Sequence, residues 1–368
     1  MIIAVKNLVA ERARFVMSVC GVGFAVLLVL VMAGIFVGTT NQVTTYIDHS
    51  KGAVWAVQPG VSQMFRAVSW LPADGKDRLT AIPGVASADP ILGLPSDFVH
   101  NGSQTAYFVL GYNADSGVGG PWSLAEGRNV ARGGEVVLDR VLAKKNGVQV
   151  GDRVRLVDED FTVVGLSNQT AAVGNFYAFI SLPDASRLLR AGNRVSYFLV
   201  RPKDGMSAEG LAESIRRHAP GMDALTSPTF AENSRAIVIS MIGRPLKTMI
   251  GIAALVGVAL VGLTMLSMTS EQMRDFGVLR AIGVRPIQLC STVISQAAIV
   301  AGLGYLLGAS ITYAAQFLIR DRLGDVTIEV TPTMLAAMAG ATCVMAILGS
   351  LIPVRRVSRL DPALAFRR

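Results

Sequence analysis

Four long charge-free stretches, separated by one long mixed region, set the plan of the chain. Residues 15–47, 248–270, 286–319 and 330–354 carry no Asp, Glu, Lys, Arg or His, and each exceeds the roughly 20 apolar residues that a membrane-spanning helix needs. The pattern predicts spans over 15–38, 246–270, 288–319 and 333–354. Residues 39–245 read differently, with short alternating runs broken by Gly and Pro. Strands are expected near 55–57, 106–111, 135–138, 179–182 and 197–200. A hairpin is expected from Gly151 to Gly165, in which Val154 and Leu156 alternate with Arg153 and Arg155 and the acidic run 158–160 makes the turn. Helices are expected over 77–81, up to Lys145, over 183–189 and over 208–218. Strands and helices mix without a long βαβ repeat, which predicts an α+β domain of about 200 residues, large enough to bury its own core.

Two flanking segments extend this plan. Residues 39–50 contain neither Gly nor Pro and can continue the first span as a helical stalk, while 230–241 reads as a helix returning to the second span. Ile2, Val5, Leu8 and Val9 recur at helical spacing, so residues 1–14 read either as an amphipathic helix on the membrane surface or as a plain basic anchor.

Composition changes the picture only by confirming the solvent. Charged residues make up 16% of the chain and mean hydropathy is +0.48, against about a quarter charged in a soluble domain. The net charge of +8 invites a nucleic-acid reading, but no basic run is interleaved with aromatics, and none is adopted. Basic residues instead flank the apolar stretches: Lys6, Arg12 and Arg14 before the first, Arg274, Arg280 and Arg285 between the second and third, and Arg355, Arg356, Arg359, Arg367 and Arg368 after the fourth. The positive-inside rule then predicts that 1–14, 271–287 and 355–368 are cytoplasmic, with 39–245 and the acidic 320–332 outside. The first span is expected to remain as an uncleaved anchor, being longer than a signal-peptide core and lacking an A-x-A site. Cys20, Cys290 and Cys343 all fall in or beside spans, so no disulfide framework is expected outside.

Chemistry is scarce. His49, His100 and His218 lie in no metal-ligand spacing. The run 117–120 is glycine-rich but no phosphate-loop motif occurs, so neither cofactor nor metal is expected on this chain. Asp158, Glu159 and Asp160 could hold a cation, although a solvated hairpin turn is the plainer reading. The spans lack the ionisable groups that ion-coupled carriers use. What they contain is small residues that permit close helix approach: Gly251, Gly257 and Gly262 in the second, and Gly304 and Gly308 in the third.

The remaining signal is the short loop 271–287. It is amphipathic, with Phe276, Leu279 and Ile282 on one face and Gly283 suited to a left-handed cap. A short helix there could dock in a groove on a partner, with Gly277 and Gly283 allowing close approach.

The ten residues Arg274, Asp275, Phe276, Gly277, Val278, Leu279, Arg280, Ala281, Ile282 and Gly283 resemble the R-E-x-G-x-x-[RK]-A-[IL]-G segment of MacB/FtsX-type ABC permeases, with Asp275 and Phe276 replacing the commoner Glu and Ile. The run Pro353-Val354-Arg355-Arg356-Val357-Ser358-Arg359-Leu360-Asp361-Pro362 resembles that family's P-A-R-R-A-A-R-L-x-P tail, and Lys6-Asn7-Leu8 with Arg12 and Arg14 is like its N-terminal segment. Gly127-Arg128, the run 135–138, Gly151-Asp152 and the run 161–165 fall in the order typical of the MacB-like domain. In size the chain is most similar to the DevC-type members, which have no fused ATPase. Many relatives carry Glu where this chain has Gln296.

The resemblance implies a four-span helical membrane protein with an α+β extracytoplasmic, MacB-like periplasmic domain. It implies a homodimer in the bacterial inner membrane with two ATPase subunits that hold ATP and Mg, so that this chain is not itself an enzyme. Residues 274–283 become the helix that touches the ATPase, and ATP-driven motion passes by mechanotransmission to the outer domain. The outcome is export or extraction of a lipid, peptide or drug, with a periplasmic adaptor as a further partner, or FtsX-like regulation of a cell-wall hydrolase or sensor.

Overall fold

The computed structural model describes residues 12–64, 68–100, 103–170, 176–320 and 328–358. The expected amphipathic segment 1–14 lies almost wholly outside the described residues, as do the end of the C-terminal motif and most of 320–332. The chain forms two compact units, one within Met1–Gly38, Ile242–Leu323 and Thr327–Arg368, the other within Thr39–Met241.

The second unit is built on one twisted sheet. Its strands are β1 (Val54–Val57), β2 (Leu71–Pro72), β3 (Val85–His100), β4 (Ser103–Tyr112), β5 (Leu124–Gly127), β6 (Glu135–Asp139), β7 (Arg153–Leu156), β8 (Glu159–Ser167), β9 (Phe176–Ser181), β10 (Arg194–Val195), β11 (Tyr197–Pro202) and β12 (Asp223–Thr226). The main sheet runs β12-β1-β11-β3-β4-β9-β6-β8-β5, with β7 paired to β8 and a separate β10-β2 ribbon. Strand β3 joins its two halves, because Val85–Ile91 pair antiparallel with β11 while Leu92–His100 pair with β4. The β4–β9 and β6–β8 pairs are parallel amid antiparallel neighbours, the mixed topology of an α+β domain.

Helices α2 (Gly75–Thr80), α3 (Arg140–Asn146), α4 (Leu182–Leu188) and α5 (Ala208–His218) cover this sheet. Leu79 of α2 and Leu211 and Ile215 of α5 pack on Val54, Ala56 and Val200, and Leu142 of α3 and Ala185 of α4 pack on Val109, Val136 and Ala178. The opposite face is aromatic: Trp55 stacks on Phe230 at 4.7 Å and Tyr46 on Tyr177 at 5.3 Å. Alternation explains the strand β1, whose Trp55 and Val57 enter the aromatic cluster while Val54 and Ala56 enter the helix-covered one.

Tyr46 lies in α1 (Arg12–His49) and Phe230 in α6 (Ser227–Glu271). These helices have 38 and 45 residues, far more than a crossing requires. Their excess length ends in the aromatic core, where the Tyr46 hydroxyl donates to the Gly119 carbonyl at 2.9 Å. Beside it, the Arg235 guanidinium of α6 donates to the Thr44 hydroxyl of α1 at 3.2 Å.

One local expectation is corrected. The hairpin turn is Val157-Asp158, and Glu159 and Asp160 are already strand residues opposite Leu156 and Arg155. Val157 adopts φ +54°, unusual for a β-branched residue. The acidic run does not converge either: Asp158 pairs with Arg190 at 3.3 Å and Glu159 with Arg187 at 2.9 Å. No metal-holding cluster occurs among the described residues.

The first unit is helical. Portions of α1 and α6 pack with α8 (Pro286–Arg320) and α9 (Pro332–Ser358) around Val22, Val26, Val261, Met265, Ala297, Val300, Met338 and Met345. All four helices are long and apolar enough to cross a membrane. Glycines set the spacing. A Cβ at Gly304 would sit 2.6 Å from Val22 Cβ, and one at Gly308 2.5 Å from the Gly23 carbonyl oxygen, so α8 and α1 touch backbone to backbone. Gly262 faces Gly349 of α9, where a Cβ would lie 3.0 Å from the Gly262 nitrogen, and at Gly257 one would meet Met345 Sδ at 3.1 Å. Gly251 differs from expectation: a Cβ there meets nothing within 4 Å, so it makes no helix contact in this chain.

Candidate coupling site

The loop between the second and third spans folds as α7 (Met273–Ala281). A single residue, Gln272, separates it from α6. The C-terminus is closed by a Schellman motif. Gly283 takes φ +102°, the Gly283 N–H donates to the Arg280 carbonyl at 3.1 Å, and the Val284 N–H donates to the Leu279 carbonyl at 3.0 Å. Val284 and Leu279 also lie together against one apolar cluster, the contact that accompanies this cap. Asp275 in the first turn and Arg280 in the last both suit the helix dipole.

That apolar cluster fixes the helix. Phe276, 1% exposed, packs with Leu289 and Val293 of α8 and Val357 of α9, flanked by Met273, Leu279, Val284, Cys290 and Val354. Two sequence motifs far apart in the chain therefore meet here, because Val354 and Val357 belong to the C-terminal run that ends at Pro362. Arg359 to Pro362 lie outside the described residues. The Cys290 thiol approaches the Val354 carbonyl at 3.8 Å, a further tie between α8 and α9.

The geometry divides the ten predicted residues into two faces. Phe276 and Gly277 are buried and Leu279 and Arg280 half-buried, with Phe276 and Leu279 held in the apolar cluster. Asp275, Val278, Ala281, Ile282 and Gly283 are exposed. The side chain of Arg274 lies outside the description. The expected single face of Phe276, Leu279 and Ile282 is thus corrected: Phe276 and Leu279 point into the bundle, whereas Ile282 is 76% exposed and shares the open side with Val278. Gly277 is likewise buried, leaving Gly283 as the exposed glycine of the pair.

Above the cluster sits a polar layer that periodicity did not single out as a unit. Gln272 and Gln296 are 6% and 1% exposed, and the Gln296 side-chain N–H donates to the Gln272 side-chain oxygen at 3.4 Å. Gln272 carries no sequence signal of its own, because a polar residue in a short loop between two apolar stretches reads as solvated.

Residues 15–218 match the MacB-like periplasmic core domain and residues 247–362 the FtsX-like permease C-terminal domain. An uncharacterized ABC transporter permease of Mycobacterium tuberculosis is 23% identical over 370 residues, covering 99% of this chain and 98% of its own. The macrolide export ATP-binding/permease protein MacB of Chromobacterium violaceum is 23% identical, and the match covers 92% of this chain and 58% of that one. The crystal structure of the periplasmic region of MacB from Actinobacillus actinomycetemcomitans aligns with 49% of this chain at 16% identity and TM-score 0.38. With both domain types matched in order along a four-helix chain, the protein belongs to the MacB/FtsX-type family of ABC transporter permeases.

Proposed function

We propose that this chain is the transmembrane subunit of an exporter in which α7 receives motion from a separate ATPase subunit. ATP and Mg are held by that partner, and the chain itself performs no chemistry. Both termini and α7 face the cytoplasm of a bacterial inner membrane, and the α/β domain faces outward, as the distribution of Arg and Lys supports. Two copies form the working unit. Support comes from α6, the least buried of the four spans, which leaves Met249, Ile252, Leu255, Val256 and Leu263 exposed.

The observation that carries the reading is the two-sided α7. A nine-residue helix is too short to hold itself together in water, yet this one is capped, clamped through Phe276 to α8 and α9, and still presents Val278 and Ile282 on its open side. Such a helix transmits displacement to the spans instead of absorbing it. The cargo, of lipid, peptide or drug class, is engaged outside, and an adaptor on that side completes the path.

The test is copurification. Wild-type chain taken from membranes in mild detergent brings with it an ATP-hydrolysing subunit, and Ile282→Asp, which alters only the open face, loses that subunit while inserting normally. A wild-type preparation devoid of ATPase, or an Ile282→Asp chain that retains it in full, refutes the proposal.

A further inference from the structure

The helix seam beside α7 is apolar except at one step. The buried stripe of α6 runs Val261, Met265 and Thr269 and continues to Gln272 in the break that follows, and on α8 it runs Leu289, Val293, Gln296 and Val300. These positions recur at three and four residues, so each set lies on one helix face.

Thr269 is anomalous. Thr248, Thr264, Thr292, Thr312 and Thr342 each donate their hydroxyl to the carbonyl four residues earlier. The Thr269 hydroxyl is 1% exposed as a residue and has no hydrogen-bond partner among the described residues. It stands three residues before Gln272, about 4.5 Å of helical rise, and is the next buried polar group along the stripe from the Gln272–Gln296 pair. The Gln272–Gln296 bond is meanwhile long at 3.4 Å, against the usual ~2.9 Å.

We propose that Gln296 is a positioning residue in a two-position joint, pairing with Gln272 in the arrangement described here and with Thr269 when α6 tilts about the helix break at Gln272. The joint rests on the coupling role of α7. It allows α6 to move while Phe276 keeps α7 clamped to α8 and α9, since the break lies between Thr269 and Phe276. A neutral amide suits the task because it carries both donors and an acceptor and exchanges partners without stranding a charge. Small changes of partner at a packed interface are a known way of making two discrete arrangements from one fold.

The experiment measures ATP turnover by the copurified complex in lipid nanodiscs, relative to the ATPase subunit alone. Thr269→Val keeps shape, leaves the Gln pair intact and deletes the second position. Turnover falls about fivefold, the weight of one hydrogen bond in a two-state balance, while the melting temperature holds or rises because an unmet hydroxyl is gone. Thr269→Ser restores turnover. Gln296→Glu introduces a pH profile that wild type lacks, with turnover retained while the carboxyl is protonated and donates as the amide does, and lost as it ionises. Wild-type turnover in Thr269→Val, or a Gln296→Glu profile that overlays the wild-type one, overturns the joint while leaving the ATPase assignment standing. Absence of any ATPase from the wild-type preparation overturns both.

Discussion

Replacing Phe276 by Ala tests whether α7 is held by its own chain. The side chain is 1% exposed and touches residues of α8 and α9, and truncating a buried phenylalanine costs about 3–5 kcal/mol. The nine residues of α7 have little helical stability of their own, so this loss falls mainly on local opening of the helix. At about 1.4 kcal/mol per factor of ten, even the lower figure raises the open fraction more than a hundredfold. Hydrogen exchange reads this directly in the amides of Phe276, Val278, Ile282, Gly283 and Val284. The Gly283 and Val284 N–H groups are informative, because their bonds to the Arg280 and Leu279 carbonyls exist only while the cap is formed. Protection there falls by two orders of magnitude in Phe276→Ala. Ile282→Ala, at a residue 76% exposed, leaves it unchanged. Equal protection in wild type and Phe276→Ala refutes the clamp, and with it the argument that α7 is rigid enough to pass on a displacement.

Two further outcomes follow from the structure. Gly308→Val places a Cβ 2.5 Å from the Gly23 carbonyl oxygen and 2.8 Å from Val26 Cβ, an overpacking that costs about 1–3 kcal/mol; it lowers the melting temperature in detergent, whereas Gly251→Val, with open space around it, does not. The Glu135 carboxyl is held at about 2, below its ordinary 4.5, by hydrogen bonds from the Arg128 guanidinium and the Ala131 and Arg132 amides. Because the folded-state value is depressed, this contribution is complete above about pH 4.5 and is lost as pH falls toward 2. Glu135→Gln is therefore less stable than wild type at neutral pH, and the gap between their melting temperatures closes over that acid range; a constant gap refutes the assignment.

The parts of the fold legible in the sequence are those where one physical rule dominates. Spans show because charge is excluded from the bilayer, and helix 208–218 shows because Leu211, Ala212 and Ile215 form one buried stripe among Arg and Glu. Strand β3 was invisible for the opposite reason. Its 16 residues include Pro90 and Pro95, the polar or acidic Ser87, Asp89, Ser96 and Asp97 near them and two register partners, so no single alternation runs through it. Strand β12 has four residues and β10 two, too few for any period. The hairpin turn shifted by one residue because Val157, which composition assigns to a strand, takes the left-handed conformation that Asp or Asn would have advertised.

At the candidate site the same logic separates what the sequence could and could not say. Amphipathicity located α7 and Gly283 marked its end, since both are local properties. Which face turns inward is not local: Phe276, Leu279 and Ile282 lie near one another on the helix, and only Leu289, Val293 and Val357, supplied by α8 and α9, decide that the first two are covered and the third is open. The same holds for the small residues. Gly304 and Gly308 are packed by Val22, Gly23 and Val26, while Gly251 and Gly302 have the same freedom and no neighbour. A short helix that anchors one side and offers the other must spend its largest apolar residue inward, where detachment is costly, and keep on its open face side chains such as Val278 and Ile282 that can be uncovered between encounters. The division of α7 into a fixed and an open face is therefore what the proposed coupling contact requires physically, with Phe276 rather than Ile282 packed against Leu289, Val293 and Val357.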